Sequence, residues 1–206
     1  MEVGSFGVFW FCILAAELAW KVLRVLYATY CLSAKFLGED ETKQGKRFSK
    51  SLDEAATYAE VWQIVKDTVN YTFGKRRGSM MLFLDDLPLQ IGAYYPLGTN
   101  NIVLNRHLLD IVENTLTDKS TVNSLVYNLL LHEYLHALGE LSEVEVKRQV
   151  VIVATKCFGE KHSATVLARK SPWILLKDIP IEAIPARKRV MQIVQNFEKT
   201  TDKYVV

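Results

Sequence analysis

Residues 125–138, LVYNLLLHEYLHAL, constrain this chain more than any other stretch. Leu129, Leu130, Leu131, Leu135 and Leu138 leave no continuous polar face, so a helix here must be buried. Ser120 or Thr121 supplies a start signal, and Gly139 stops the helix after Leu138. Inside a buried helix His132, Glu133 and His136 need partners, because an unpaired polar group there is costly.

The spacing of these three residues suggests what the partner is. His132 and His136 are four apart, so both imidazoles project from one helix face. Two nitrogens at that spacing suit one Zn²⁺. Glu133 follows the first histidine and can reach a metal-activated water as general base. The bland alternative is two hydrogen-bonded core histidines. The position of the motif late on a helix, just before Gly139, favours the metal, as does the fact that the chain has only 4 histidines.

A catalytic zinc usually takes a third protein ligand. If the chain turns at Gly139, residues a few positions later come near His136. At 100° per residue, Glu143 falls in line with Val146, Val150, Ala154 and Cys157, while Glu145 falls with Arg148, Gln149 and Lys156. That phase favours a buried, inward-facing Glu143. Glu145 has an alternative role as the capping-box partner of Ser142. His162 is the other candidate, but needs a chain reversal after a helix of roughly 24 Å. His107 has no metal-ligand spacing and reads as structural or exposed.

Elsewhere, helical spacing covers Asp53–Tyr71, and Gly74–Gly78 break it. Met80–Leu84 reads as a buried strand. A strand ending at Tyr95, a turn at Pro96–Asn101 and a strand Ile102–Leu104 follow, then a short helix from His107 to Val112. Further helices are expected from Ser142 to about Cys157, over Ser163–Arg169 and over 188–198. This order of helix, strands and helices gives an α+β fold.

Residues 1–37 form an N-terminal hydrophobic helix, either packed on protein or in contact with a membrane through residues 6–32. Glu17, Lys21 and Arg24 interrupt its apolar run, and MEVGS lacks the charge of a signal peptide. Residues 38–52 read as a polar linker, 53–160 as the catalytic domain and 161–206 as a C-terminal helical and extended segment. The 3 cysteines are far apart, which favours buried thiols and a reducing compartment. The cytoplasm is then expected, at the inner face of the membrane if the first helix inserts. A formal charge of +2 gives no footprint for nucleic acid. The basic groups at Lys43–Lys50, Lys75–Arg77 and Arg187–Arg189 read as solvated surface.

HEYLHALG together with GAYYPLGTNNIVLNRHLL resembles the gluzincin metallopeptidases. The likeness is to the prenyl-protein and heat-shock membrane endopeptidases and to the small soluble minigluzincins. Ala93-Tyr94, Pro96 with Gly98, Ile102–Leu104 and Leu108-Leu109 match that pattern over about residues 55–157. Glu143 and the residues after it match a later Glu-x-x-Ala-Asp in part. Gly92 stands in place of an asparagine, and Lys147 in place of the aspartate. The resemblance implies a small zincin-like domain with a short sheet, an active-site helix and a following ligand helix. It also implies zinc-dependent endopeptidase activity on a peptide or protein substrate. An edge strand near Tyr94 and Tyr95 would lie along the metal cleft, with Tyr94, Tyr95 or Tyr134 as candidates to stabilise an oxyanion. The minigluzincins' histidine ligand keeps His162 as an alternative to Glu143. The competing function is a zinc-binding protein without peptidase activity, acting as a regulatory or membrane-tethered interaction module.

Overall fold

Phe48, Leu52 and Ala55 recur at helical spacing within a stretch that otherwise reads as polar. In the computed structural model, which describes residues 43–177, 185 and 187–198, helix α1 covers 43–54 and all three are buried. The expected linker 38–52 is thus corrected over its described part: Phe48 and Leu52, with Ala55 just past the end, are enough to anchor an amphipathic helix when a core is available. Residues 1–37, with the hydrophobic helix expected there, lie outside the described residues. Among those described, no helix is long and apolar enough to cross a membrane.

The chain is α+β. Helix α2 (Tyr58–Phe73) starts at Thr57, whose side chain accepts from Glu60 N–H, and ends at Gly74 with φ 65°. Strands β1 (Met81–Asp85), β2 (Ala93–Tyr94) and β3 (Asn101–Asn105) follow. Then come helices α3 (Arg106–Thr115), α4 (Lys119–Ala137), α5 (Glu143–Phe158) and α6 (Ser163–Lys170). A 3₁₀ turn, Pro172–Leu176, and strand β4 (Gln192–Ile193) complete the described elements.

The sheet order is β2-β3-β1-β4. β1 and β3 are parallel, with Leu82 opposite Ile102, and β2 and β4 flank them antiparallel. The helix expected over 188–198 is therefore absent. Gln192 and Ile193 instead pair with Leu84 and Phe83. The open edge of β1 offers backbone hydrogen bonds that a short exposed helix would have to make alone.

Helix α4 is buried on nearly every side, as its leucines require, and packs against α2, α3, α5, α6, β2 and β3. Its cap is Asp118, whose carboxylate accepts from the N–H groups of Ser120 and Thr121, rather than either of those residues. Two of the buried polar side chains tie it to its neighbours. Asn123 Nδ2 donates to Leu52 O and Ala55 O, both at 2.9 Å, joining α4 to the end of α1. Asn128 Nδ2 donates to Ala164 O at 3.0 Å, which ties on α6. The described start of the 161–206 segment thus belongs to the same core as α4 and α5.

Candidate metal centre

The C-terminal turn of α4 builds the site. Gly139 has φ 101°, a conformation that glycine adopts without a Cβ clash. The bend there brings Glu140 O to 2.7 Å from His136 Nδ1. A carbonyl can only accept, so Nδ1 carries the proton and Nε2 keeps its lone pair outward. Ser142, which accepts from Glu145 N–H, then starts α5, and Glu143 is its first residue.

His132 Nε2 and His136 Nε2 lie 3.2 Å apart. Glu143 Oε1 is 3.1 Å from His136 Nε2, and Oε2 is 3.3 Å from His132 Nε2. Among the described residues, these three form the cluster able to hold a metal ion. Ligands about 2.05 Å from a tetrahedral zinc are separated from each other by about 3.3 Å, so the spacing fits. Two imidazole nitrogens and a carboxylate oxygen also match the donor preference of zinc. Three electron-pair donors this close repel one another unless a cation or protons lie between them.

Glu143 thus faces the histidines as its helical phase indicated, but it is not buried: its side chain is 63% exposed. It belongs to the first turn of α5, at the open mouth of the cleft. The other two candidates are elsewhere. Glu145 pairs with Arg148 and Gln149 on the outer face of α5, and these hydrogen bonds lower its pKa to about 2. His162 caps α6 by accepting from Ala164 N–H through Nδ1, and its ring stacks on Phe158 at 4.9 Å. The chain does reverse after Cys157, but it carries His162 towards Asp53, 3.2 Å away, and not to the cluster.

Glu133 is 8% exposed and lines the same cleft as the three-residue cluster and strand β2. Burial raises its pKa to about 7, with Glu143 also raising it, while His136 and the N–H of Tyr95 hold it down. That N–H lies just past the end of the edge strand, on the same cleft wall. Burial likewise lowers the pKa of His132, keeping its imidazole neutral and able to act as a ligand.

A cleft of about 1040 Å³ opens over the cluster. One wall is Ile91–Tyr95 and Leu97, and the other is Val150, Val151, Ala168 and Trp173. Comparison with known protein families, curated proteins and solved structures gives no match. The chemistry of the cleft therefore has to be read from its own residues. Two of the three tyrosines considered for the oxyanion have committed hydroxyls. Tyr134 OH donates to Arg77 O at 3.0 Å and accepts from Arg77 N–H at 2.6 Å. Tyr95 OH donates to Thr99 O at 2.8 Å.

Two residues that position the site are not evident from the sequence motif. Arg77, read there as solvated, donates to Ala137 O, Tyr95 OH, Thr99 O and Asn100 Oδ1. It joins the end of α4 to the turn after β2. Asn105 is fully buried and donates to Leu87 O, Pro88 O and Ile91 O, which shapes the loop leading into β2. The only available signal was a polar residue at the end of an apolar strand, and that is weak. Gly92 has a packing reason as well: a Cβ there would sit 2.5 Å from Leu129 Cδ2.

Proposed function

We propose that this chain is a zinc-dependent peptide hydrolase of the gluzincin type. In this reading His132, His136 and Glu143 hold the metal and Glu133 is the general base. The observation that carries the proposal is the convergence of three donor atoms at tetrahedral spacing beside a buried carboxylate. Zn²⁺ held there would lower the pKa of a water towards neutrality and polarise a substrate carbonyl.

The rest falls to the chain's own groups. Glu133, buried beside the cluster with its pKa raised to about 7, takes the proton of the attacking water and returns it to the departing amine. Among the described residues β2 is an outermost strand of the sheet, lines the cleft, and is bonded to β3 along one edge only. An extended peptide can add to its free edge through backbone hydrogen bonds, which recognise a main chain and not one sequence. The apolar walls then receive side chains and exclude water around the reacting carbonyl.

Metal analysis and hydrolysis together test this reading. After loading and desalting, the protein should retain one zinc per chain. It should cleave an unfolded protein or a quenched peptide, and Glu133→Gln should retain the zinc but cleave about 10²–10⁴-fold more slowly. A protein that takes up no zinc would overturn the proposal. One that holds zinc but cleaves nothing would favour the non-hydrolytic reading.

A further inference from the structure

Glu143 and Lys147 are four residues apart on α5, a spacing at which a glutamate and a lysine ordinarily pair. Here the Glu143 oxygens are turned to the two imidazoles, 3.1 and 3.3 Å away. Lys147 is exposed, lines the same cleft, and its charge is felt at His132. Among the described residues it has neither an ion-pair partner within 4.0 Å nor a hydrogen-bond acceptor. The other cations of the cleft wall differ: Arg148 pairs with Glu145, and Arg169 with Glu160. The two carboxylates that line the cleft, Glu133 and Glu143, are both occupied at the metal cluster. Lys147 is thus a cation beside the cluster that meets no anion among the described residues.

We infer that Lys147 is a specificity-determining residue that binds a carboxylate of the peptide close to the bond being cut. This inference rests on the peptide-hydrolase reading. The carboxylate has two sources, an acidic side chain or the free C-terminus, and both present the same group to an ammonium. The ammonium is a compact point charge on a flexible stem, so it can follow either one.

The test uses the zinc-loaded full chain carrying Glu133→Gln, so that peptides bind without being cut. Labelled peptides place Glu or Gln at each position around the scissile bond, and each is made with a free and an amidated C-terminus. Binding is read by fluorescence anisotropy and, with Glu133 restored, by kcat/KM. Acid-bearing peptides should bind about tenfold tighter than their amide counterparts at low salt, a preference that shrinks as salt rises. At equal zinc occupancy, Lys147→Met should abolish the preference and Lys147→Glu should invert it. A preference confined to free C-termini identifies the terminal carboxylate, and one confined to Glu identifies a side chain. Equal binding of acid and amide peptides would overturn the inference. So would a preference that survives in Lys147→Met, since the carboxylate would then be meeting the metal. A protein that holds zinc but binds none of the peptides also overturns it, whereas failure to hold zinc defeats the metal reading beneath it.

Discussion

Glu143 is the residue whose position and exposure pull apart, and this sets how its loss should read out. It faces two imidazoles from the first turn of a helix, so Glu143→Ala removes a proposed ligand without opening a core cavity. Zinc affinity should fall by more than the roughly 10–100-fold typical of losing an outer partner, while thermal stability of the metal-free protein stays near wild type. Glu145→Ala and His162→Ala should leave zinc affinity unchanged. His162→Ala should cost about 1–2 kcal/mol in chemical denaturation, because it loses the α6 cap and the Phe158 stack. Titration with a competing zinc chelator measures the first quantity in all three variants. His107 offers a separate check through pH. Its ring is 4% exposed, and burial, then Arg187, lower its pKa, with Asp86 and Asp110 opposing. The unfolded chain therefore binds the proton first, below about pH 6.5, so stability should fall as the pH drops through that value. Denaturation midpoints at pH 7.5 and 5.5 should differ less in His107→Gln than in wild type.

At the scale of elements, the site depends on how α4, β2 and the turn between β2 and β3 are held together. Arg77 supplies most of that, with one guanidinium bonded to the last turn of α4 and to the 95–100 turn. Arg77→Ala should destabilise the protein by about 2–3 kcal/mol, since it breaks several charge-assisted hydrogen bonds. It should also speed hydrogen exchange at the Tyr95 amide, which lines the cleft with Glu133. Arg77→Lys should not restore either, because an ammonium cannot span the same acceptors. An unchanged Tyr95 exchange rate would separate Arg77 from the site. The helices and β1–β3 were legible as elements from their periodicity, to within a few residues. β4 was not, because a two-residue strand is defined by its partner and not by its own letters. Nor was α1, whose apolar residues are too sparse to stand out from the surrounding polar ones.

Over the whole molecule, the described part of the C-terminal segment closes the fold on the side of β1. Arg189 pairs with buried Asp85, and Arg187 with Asp86 and Asp110, so the basic group read as solvated surface is largely engaged. Phe197 stacks on Trp62 at 5.0 Å, and Glu198 meets Lys66 at 2.6 Å. The Lys66 side chain is 5% exposed. Glu198→Ala should therefore cost about 3–5 kcal/mol, because it leaves a buried ammonium without its counterion. Adding Lys66→Met should recover part of that loss, as measured by denaturant unfolding of both variants. A cost below 1 kcal/mol for Glu198→Ala would mean that Lys66 finds water when its partner is removed.

The local chemistry of the centre was written in the sequence. His132 and His136 share a face because a helix has 3.6 residues per turn, and Glu143 follows at the phase that Gly139 and Ser142 impose. Those relations span at most about twelve residues, so backbone geometry alone carries them. The tertiary structure decided what those local signals left open. It placed His162 against Phe158 and Asp53, turned Arg77 from apparent surface into a clamp, and left Lys147 lining the cleft with no partner among the described residues. Each of these outcomes depends on what a distant segment brings to the same place. A side chain's own letter states which bonds it can make, and only the fold determines which partners come within reach.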